Sequence, residues 1–403
     1  MSATTSNTAS MQTRPLHGLR VVEFGQFIAV PAAAQTLADL GADVIKVEPP
    51  RGDAARSTGW TRDAFGPMFT AFNRAKRSVV LDLGTEAGRV AARALALSAD
   101  VVLQNTRPGT MEKQGLDSAS LMAVAPRLIY GQVSGFGRAG ADAQRPGLDI
   151  AAQAESGMMS INGAGGADPT RVGFAVVDLM TAHAVVTGVL AALVRRGING
   201  GGGLVDVSLI DVAVEALGNI WADYRLSGML PLRCGNGQPF AAPAADVFAT
   251  ADGMVVISAY TPEHFPRLCR ALGHEALVND ARFTSNAMRV ANRDELTAAL
   301  GGLMKGMGTQ ALCERLSQAG VVVGEVRTLA DVAPGQAGVA ADLFVEVHAE
   351  GRDAVRIPGL SFSLDGVPRT GGRLPGLGEH TEEVLSQLPG VGPTHRSPCG
   401  RAR

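Results

Sequence analysis

The sequence predicts an α/β protein with a doubly wound parallel sheet and a second, smaller α+β domain. Two observations lead to this fold class: short apolar strands alternate with helical segments over the first half of the chain, and that alternation stops near Leu230. Strands joined by helices form βαβ units and hence parallel sheets. The length of 403 residues agrees, because it exceeds that of one typical domain.

The elements of the large domain follow from local patterns. Thr85 is expected to be the N-cap of a helix, since its side chain can accept from the first turn and Glu86 follows it. The expected strands are 19–24, 43–48, 78–83, 100–104, 127–133 and 204–208, and the expected helices are 31–40, 85–98, 118–124, 179–196 and 211–226.

The smaller domain begins with the loop 234–240. Asp252-Gly253 is a strong turn signal and predicts a hairpin. Its strands are 246–250 and 254–258, and helices are expected at 261–272, 292–304 and 309–319. Beyond residue 340 we expect a strand pair, 344–348 and 355–358, and a closing helix at 381–388.

Charge and cysteine content exclude several classes of protein. The net charge of −2 gives no basic face for nucleic acid. Four scattered cysteines form no C-x-x-C pair, which argues against a zinc site or a disulfide framework and favours a reduced, cytoplasmic location. The first 17 residues contain no apolar core of a secretory signal, and the most apolar stretch, 174–194, is interrupted by Asp178 and His183, so we expect no membrane span.

Three common enzyme signatures are missing. The turn Glu23-Phe-Gly-Gln-Phe-Ile-Ala-Val-Pro31 lacks the G-x-G-x-x-G of dinucleotide-binding folds, and no phosphate-binding P-loop occurs. Gly131-Gln-Val-Ser-Gly135 reads G-x-x-S-G rather than the G-x-S-x-G of a hydrolase elbow.

Asp178 is the most informative single residue. It is a lone carboxylate in an apolar segment of small residues, 172–193, where an ionised group is costly to desolvate without partners. Local pattern leaves two interpretations open. Asp178 is either the N-cap of the helix 179–196 or part of a functional site.

Several motifs in a fixed order give the chain a family resemblance. They are Leu16–Phe24, Leu40–Glu48 with Gly52-Asp53, Phe72–Leu83, Asn105–Gly109, Val133–Gly137, Asp149–Gly157, Asp178, Gly235-Asn236, Asp252-Gly253 and Gly378–Thr381. In this order they resemble the class III CoA-transferases, the formyl-CoA transferase or CaiB/BaiF family.

The resemblance implies a large Rossmann-like CoA-binding domain built from both chain ends, and an interlocked dimer. The expected division is a disordered tail at 1–17, the large domain at 18–225, the small domain at 226–335, a return to the large domain at 336–388, and a disordered tail at 389–403.

The resemblance also gives Asp178 a role. Its carboxylate would attack an acyl-CoA thioester to form a mixed anhydride, and returning CoA would form an aspartyl-CoA thioester that passes CoA to an acceptor acid. Covalent catalysis of this kind divides one exchange into manageable steps and needs no ATP. The expected donor is succinyl-CoA or another short acyl-CoA, and the acceptor is a small carboxylic or dicarboxylic acid. No tightly bound cofactor and no metal are expected.

Further site residues come from the same resemblance. Asp149 is expected beside the nucleophile, in a positioning or structural role. Ile28 departs from the family pattern, in which glutamine is common. The candidate CoA contacts are Gln26, Phe27, Arg56, Asn73, Lys76, Asn105, Thr106, Arg107 and Lys113, and the candidate oxyanion or lid residues are Gly235, Gly237 and Gln238.

Two alternatives remain. A racemase of the α-methylacyl-CoA type shares the fold but uses a histidine base, and the corresponding run here is Gly147-Leu148-Asp149. One CoA-binding subunit of a heteromeric transferase is the other, and the presence of Asp178 opposes a catalytically dead subunit. A homodimer is therefore the expected assembly.

Overall fold

The fold is taken from a computed structural model, which describes residues 14–60, 65–238, 244–332, 335 and 338–391. Much of the predicted tails, 1–17 and 389–403, lies outside these residues. The described chain forms two compact units. The first contains 14–157, 172–218 and 335 onwards, and the second contains 158–171 and 219–332.

The first unit is built on a six-stranded sheet in which every strand is parallel to its neighbours. The strand order is β3-β2-β1-β4-β5-β6, so the chain reverses its direction of growth between β1 and β4. The predicted parallel sheet is therefore confirmed. The strands are β1 Arg20–Phe24, β2 Asp43–Glu48, β3 Arg77–Val80, β4 Val101–Gln104, β5 Ile129–Ser134 and β6 Gly203–Ser208.

Helices connect these strands and frame the sheet. Thr85 caps its helix as predicted, since its side chain accepts from the Gly88 amide. The helices are α1 Ala29–Asp39, α2 Pro67–Phe72, α3 Glu86–Leu97, α4 Thr110–Lys113, α5 Ser118–Met122, α6 Asp149–Glu155, α7 Met158–Ile161, α8 Val176–Asn199, α9 Leu209–Glu215 and α10 Gly218–Ser227; α7 and most of α10 belong to the second unit.

Helices cover both faces of the sheet because apolar residues in the strands alternate between two cores. Val21 joins the core that contains residues of α1 and α8, while Val22 joins the core on the other face, with residues of α3. Val384 and Leu385, from the late helix α15 (Thr381–Ser386), also pack into the second core. The C-terminal segment thus returns to the large sheet.

The helix α8 is long and apolar enough to cross a membrane by length and composition alone. Its buried side, which includes Val185 and Val189, packs into the core with α1 and the sheet. These are the contacts of a core helix.

The predicted helix at 211–226 is instead two helices, α9 and α10. The Ser208 side chain accepts from the Asp211 amide and starts α9 earlier than expected. A break at 216–217 follows, just before Gly218, whose flexible backbone disfavours a helix interior.

The second unit contains an antiparallel sheet with helices packed on it. The expected hairpin at Asp252-Gly253 is present, and Ala249 pairs with Met254. Arg233 bonds to the carbonyls of Ser160 and Ala167, which groups 158–171 with this unit rather than with the predicted 18–225 domain. The strands, in the order β7-β8-β9, are β7 Asp246–Ala249, β8 Met254–Ser258 and β9 Val322–Glu325, and the helices are α11 His264–Ala271, α12 Asn286–Ala291, α13 Arg293–Met304 and α14 Thr309–Gln318.

A third, small sheet belongs to the first unit. The predicted strand pair forms β10 (Phe344–His348) and β11 (Val355–Pro358), which are antiparallel. The short strand β12 (Gly372–Arg373) pairs in parallel with β10.

Candidate active site

A cavity of about 570 Å³ opens where β1 and β4 end. The strand order reverses here, and the crevice at such a switch point is the usual ligand site of an open α/β sheet. The cavity is lined by Gln26, Phe27, Ile28, Ala29, Arg51, Asn105, Thr106, Arg107, Pro108, Thr110, Val133, Ser134, Gly135, Ala143, Arg145, Pro146, Gly147, Leu148, Asp178 and Leu209.

Asp178 lies in the first turn of α8, but it is not the N-cap. The helix begins at Val176, with Ala175 in the cap position and no capping side chain of its own. The capping interpretation of Asp178 is therefore wrong, because the helix starts earlier than expected. Its side chain is left to line the cavity.

Asp149 provides the missing cap from a different helix. Its Oδ2 accepts hydrogen bonds from the amides of Val177 (2.7 Å) and Asp178 (3.2 Å). Gln153, one turn later on α6, donates to the Asp149 Oδ1 at 2.5 Å and accepts from the Val172 amide at 2.8 Å. Asp149 therefore fixes the helical turn that carries Asp178.

The surroundings of Asp178 favour its protonated form. Burial, together with the nearby negative charge of Asp149, raises the pKa of Asp178 to about 7. A carboxyl group with such a pKa is close to balance between acid and base at neutral pH. Because the ionised form of Asp178 is costly in this environment, reaction of the carboxylate or its pairing with a ligand lowers its free energy.

Gln26 and Phe27 line the cavity from a segment that we call the β1–α1 loop, residues 25–31, which connects β1 to α1 and includes the first three residues of α1. Phe27 has a φ of 63°, in the left-handed region that residues other than glycine rarely adopt. The Asn105 side chain bonds to both backbone groups of Gln26: its Oδ1 accepts from the amide (3.0 Å), and its Nδ2 donates to the carbonyl (2.9 Å).

Three predicted CoA contacts, Arg56, Asn73 and Lys76, are buried and do not line this cavity. The structure engages them in internal contacts. Arg56 forms a two-pronged pair with Glu48, with both distances 2.7 Å. The Nζ of Lys76 donates to Glu23 (2.6 Å) and to Asn73 (3.0 Å).

These side chains belong to a cluster in which three cations meet three carboxylates. Lys46 pairs with Glu23 at 2.8 Å and with Asp53 at 2.9 Å. Burial lowers the pKa of Lys76 to about 8. Burial also opposes the charge of Lys46, but Glu23 and Asp53 raise its pKa above the usual value. The cluster adjoins the β1–α1 loop, since Lys46 also donates to the carbonyl of Gly25.

Of the cationic residues that line the cavity, Arg51 and Arg107 are exposed and form no ion pair within the part of the chain that the structure describes. Arg145 also lines it, but it pairs with Glu155 at 2.6 Å and lies over the Phe136 ring. Lys113 is exposed on α4 and is not among the lining residues. Arg51 and Arg107 are therefore the cations left for an anionic ligand.

The predicted oxyanion donors belong to the second unit, where two amides are already used. The Gly235 amide donates to the carbonyl of Gly163 at 2.9 Å, and the Gly237 amide donates to that of Cys234 at 3.2 Å. A Cβ added at Gly237 would meet the Arg293 guanidinium at 1.7 Å, so the glycine lies close to that side chain. In this conformation neither amide is available to an oxyanion. Gln238 is exposed.

Sequence reasoning did not select Arg51, Ser134 or Leu148. Arg51 follows β2, and Ser134 is the last residue of β5. Both therefore lie at the edge of the sheet where Asn105 follows β4. Because the carboxyl ends of parallel strands meet, position relative to strand ends was the signal that could have found them. The Ser134 hydroxyl is buried and has no hydrogen-bond partner among the residues that the structure describes.

The described residues contain no group of three or more histidine, cysteine or acidic side chains arranged to hold a metal ion. Fold and cavity together define a doubly wound α/β protein with a carboxylate in the crevice at its switch point. The sequence model described as "CoA-transferase family III" matches residues 16–381. The chain belongs to this family, and it is a CoA-transferase.

Two named relatives and one solved structure agree with this family membership. The succinate–glutarate CoA-transferase of Agrobacterium fabrum is 36% identical, over 93% of this chain and 96% of the relative. The succinyl-CoA:mesaconate CoA-transferase of Haloarcula hispanica is 36% identical over 94% and 97%. The crystal structure of a CaiB/BaiF family protein from Brucella suis superposes with a TM-score of 0.81 at 36% identity, covering 93% of this chain and 99% of that one.

Proposed function

We propose that the enzyme moves CoA from succinyl-CoA, or another short acyl-CoA, to a small dicarboxylic or carboxylic acid, with Asp178 as the nucleophile. The observation that carries this proposal is a single carboxylate lining the cavity at the switch point, with its pKa raised to about 7. The relatives named above support the substrate class, because succinate, glutarate and mesaconate are all dicarboxylic acids.

The chemistry begins when a carboxylate oxygen of Asp178 attacks the thioester carbonyl carbon. A C–O bond forms, the C–S bond breaks and CoA leaves as a thiolate, which gives a mixed anhydride. The thiolate then attacks the Asp178 carbonyl carbon, releases the donor acid and leaves an aspartyl-CoA thioester. The acceptor carboxylate attacks this thioester, and the expelled thiolate takes the acceptor acyl group from the second anhydride, which restores Asp178.

The residues around the cavity suit these steps. Arg51 and Arg107, which form no ion pair with any described residue, offer their guanidinium groups to the phosphates of CoA. Asp149 holds the turn of Asp178 through two backbone amides. The start of α1, at Ile28 and Ala29, also lines the cavity, and the first amides of a helix lack partners within that helix. We assign oxyanion stabilisation to these amides in place of Gly235 and Gly237.

The racemase alternative finds no support in the cavity. Leu148 lines it where that alternative needs a histidine, and no described lining residue is a histidine. An aliphatic side chain cannot remove a proton α to a thioester.

We also propose that the enzyme works as an interlocked homodimer in the cytoplasm. Cys234, Cys269 and Cys313 are free thiols, in keeping with a reducing compartment. Light scattering on the purified chain measures its mass. A monomer with full activity would contradict the homodimer, and activity that requires a second, different chain would favour a heteromer.

The decisive experiment is incubation of the pure chain with succinyl-CoA and a pool of carboxylic acids, without ATP, followed by mass spectrometry of the CoA thioesters. We expect a new thioester and, in a quenched sample, a CoA adduct on the peptide that contains Asp178. Asp178→Ala should bind CoA but form neither. Turnover by Asp178→Ala at the wild-type rate would overturn the nucleophile assignment.

A further inference from the structure

The β1–α1 loop is held at both ends by two buried lysines. The Nζ of Lys46 donates to the carbonyl of Gly25 at 2.8 Å, and the Nζ of Lys76 donates to the carbonyl of Pro31 at 2.9 Å. Both side chains are fully buried. Of the residues between these two contacts, Gln26 to Ala29 line the cavity, and Val30 is buried in the core.

The middle of the loop is held as well. Asp53 Oδ1 accepts from the Phe27 amide at 3.3 Å and from the Ala55 amide at 2.9 Å. The left-handed backbone of Phe27 is sparsely populated in free chains, and such a conformation persists only where the surrounding structure enforces it. The contacts from Asp53, Lys46 and Lys76 hold Phe27 in this conformation.

Glu23 connects the two lysines that bind the loop. Its two carboxylate oxygens accept separately from Lys46 (2.8 Å) and Lys76 (2.6 Å), and Lys46 also pairs with Asp53 (2.9 Å). A buried cation keeps its charge only while it is paired. The position of each lysine is therefore set by the same carboxylate, and the loop is coupled to one rigid cluster.

We propose that Lys46 and Lys76 are positioning residues for CoA transfer, which hold the β1–α1 loop and Phe27 in the conformation that shapes the cavity beside Asp178. This inference rests on the proposed role of the cavity as the acyl-CoA site. Lys76, expected from the sequence to touch CoA, thereby acts on it through the loop.

Lys76→Met tests the inference, since methionine fills much of the same space without the ammonium group. If the competent loop conformation falls to about a tenth of the molecules, the apparent Kd for CoA and the KM for acyl-CoA each rise about tenfold. The kcat at saturating acyl-CoA should stay within about threefold of wild type, because bound substrate restores the loop. Calorimetry gives Kd, and initial rates separate KM from kcat.

Arg196→Met is the matched control. Arg196 is a buried cation that pairs with Asp100 at 3.1 Å and donates to the carbonyl of Arg127. These partners lie just before the starts of β4 and β5, at the sheet edge opposite the cavity. Arg196→Met should lower the melting temperature, as Lys76→Met does, but leave the Kd for CoA unchanged. Equal Kd values for wild type, Lys76→Met and Arg196→Met would overturn the positioning role.

A milder variant covers the case in which Lys76→Met does not fold. Asp53→Asn keeps an oxygen for the Phe27 amide but removes the charge that pairs with Lys46, and a rise of Kd in the same direction is expected. Arg107→Ala distinguishes a failure of the positioning role from a failure of the cavity as the CoA site. If it weakens CoA binding while the cluster variants do not, the positioning role fails alone. If Arg51→Ala, Arg107→Ala and the cluster variants all leave Kd unchanged, CoA binds outside this cavity, and the positioning role fails together with the proposed use of the cavity as the acyl-CoA site.

Discussion

Asp149 caps the helix of Asp178 and, with the same carboxylate, makes Asp178 harder to ionise. The cap consists of bonds from Asp149 Oδ2 to the Val177 and Asp178 amides, at 2.7 and 3.2 Å. The negative charge of Asp149 adds to burial in raising the pKa of Asp178 to about 7. One residue therefore fixes the place of the proposed nucleophile and, with burial, raises its pKa.

The pH dependence of the reaction should report this pair. The attacking form of Asp178 is the carboxylate, so kcat/KM for acyl-CoA should fall about tenfold per pH unit below a pKa near 7. Asp149→Asn removes the neighbouring charge but keeps an oxygen for the helix amides. It lowers the cost of ionising Asp178, so the acid limb of the profile should move to lower pH. An unchanged acid limb in Asp149→Asn would show that the charge of Asp149 does not affect the ionisation of Asp178.

Replacing Asp178 should stabilise the fold at alkaline pH. The pKa of Asp178 rises from its ordinary value of 3.8 to about 7 on folding. Between these values the unfolded chain loses its proton while the folded chain keeps it, so the free energy of unfolding falls as pH rises. Asp178→Asn removes this penalty, and we expect a gain on the order of 4 kcal/mol at pH 8 and little at pH 4.

Urea denaturation of wild type and Asp178→Asn at both pH values measures this difference. Asp82→Asn, a change of the same type at an exposed aspartate, serves as the control. A gain at pH 4 as large as that at pH 8 would show that ionisation of Asp178 is not its cause.

The cavity arginines should contribute to CoA binding through charge. Arg51 and Arg107 line the cavity, are exposed and form no ion pair in the described chain. A hydrogen bond to a charged group contributes about 1.5–3 kcal/mol, so each alanine variant should raise the Kd for CoA about tenfold or more. The loss should shrink at high salt, which screens exposed charges.

Calorimetry at low and high salt measures the effect of these arginines. Arg89→Ala is a suitable control, because that guanidinium is paired with Glu86 on α3. Wild-type affinity in both cavity variants would place the CoA phosphates elsewhere.

The sequence predicted the large sheet because strand and helix periods are local signals. It placed Asp178, Gln26, Phe27, Asn105, Thr106 and Arg107 among the site residues, and all of them line one cavity. Each lies at a strand end or a helix start, where topology brings chain segments together.

What the sequence could not predict depends on partners distant along the chain. Lys76 and Arg107 are both cations in family motifs, yet Lys76 pairs with Glu23 in the interior, whereas Arg107 lines the cavity and pairs with no described carboxylate. Likewise, the cap of α8 comes from Asp149, 28 residues before the Val177 amide that it accepts from. No local pattern contains that pairing.

Gly135→Ala should damage the wall of the cavity. Gly135 follows β5, and a Cβ placed there would meet the Cα of Gly147 at 2.6 Å, a backbone atom that cannot move aside cheaply. Overpacking of this kind typically costs about 1–3 kcal/mol. Because Gly135, Gly147 and Leu148 line the cavity, displacement of this contact should also lower kcat/KM. Gly173→Ala is the control, since a Cβ there would meet no atom of the described residues within 4 Å. Thermal melting measures the loss of stability, and steady-state rates measure kcat/KM. Wild-type values of both for Gly135→Ala would show that the close contact between Gly135 and Gly147 is not needed for the fold or for the site.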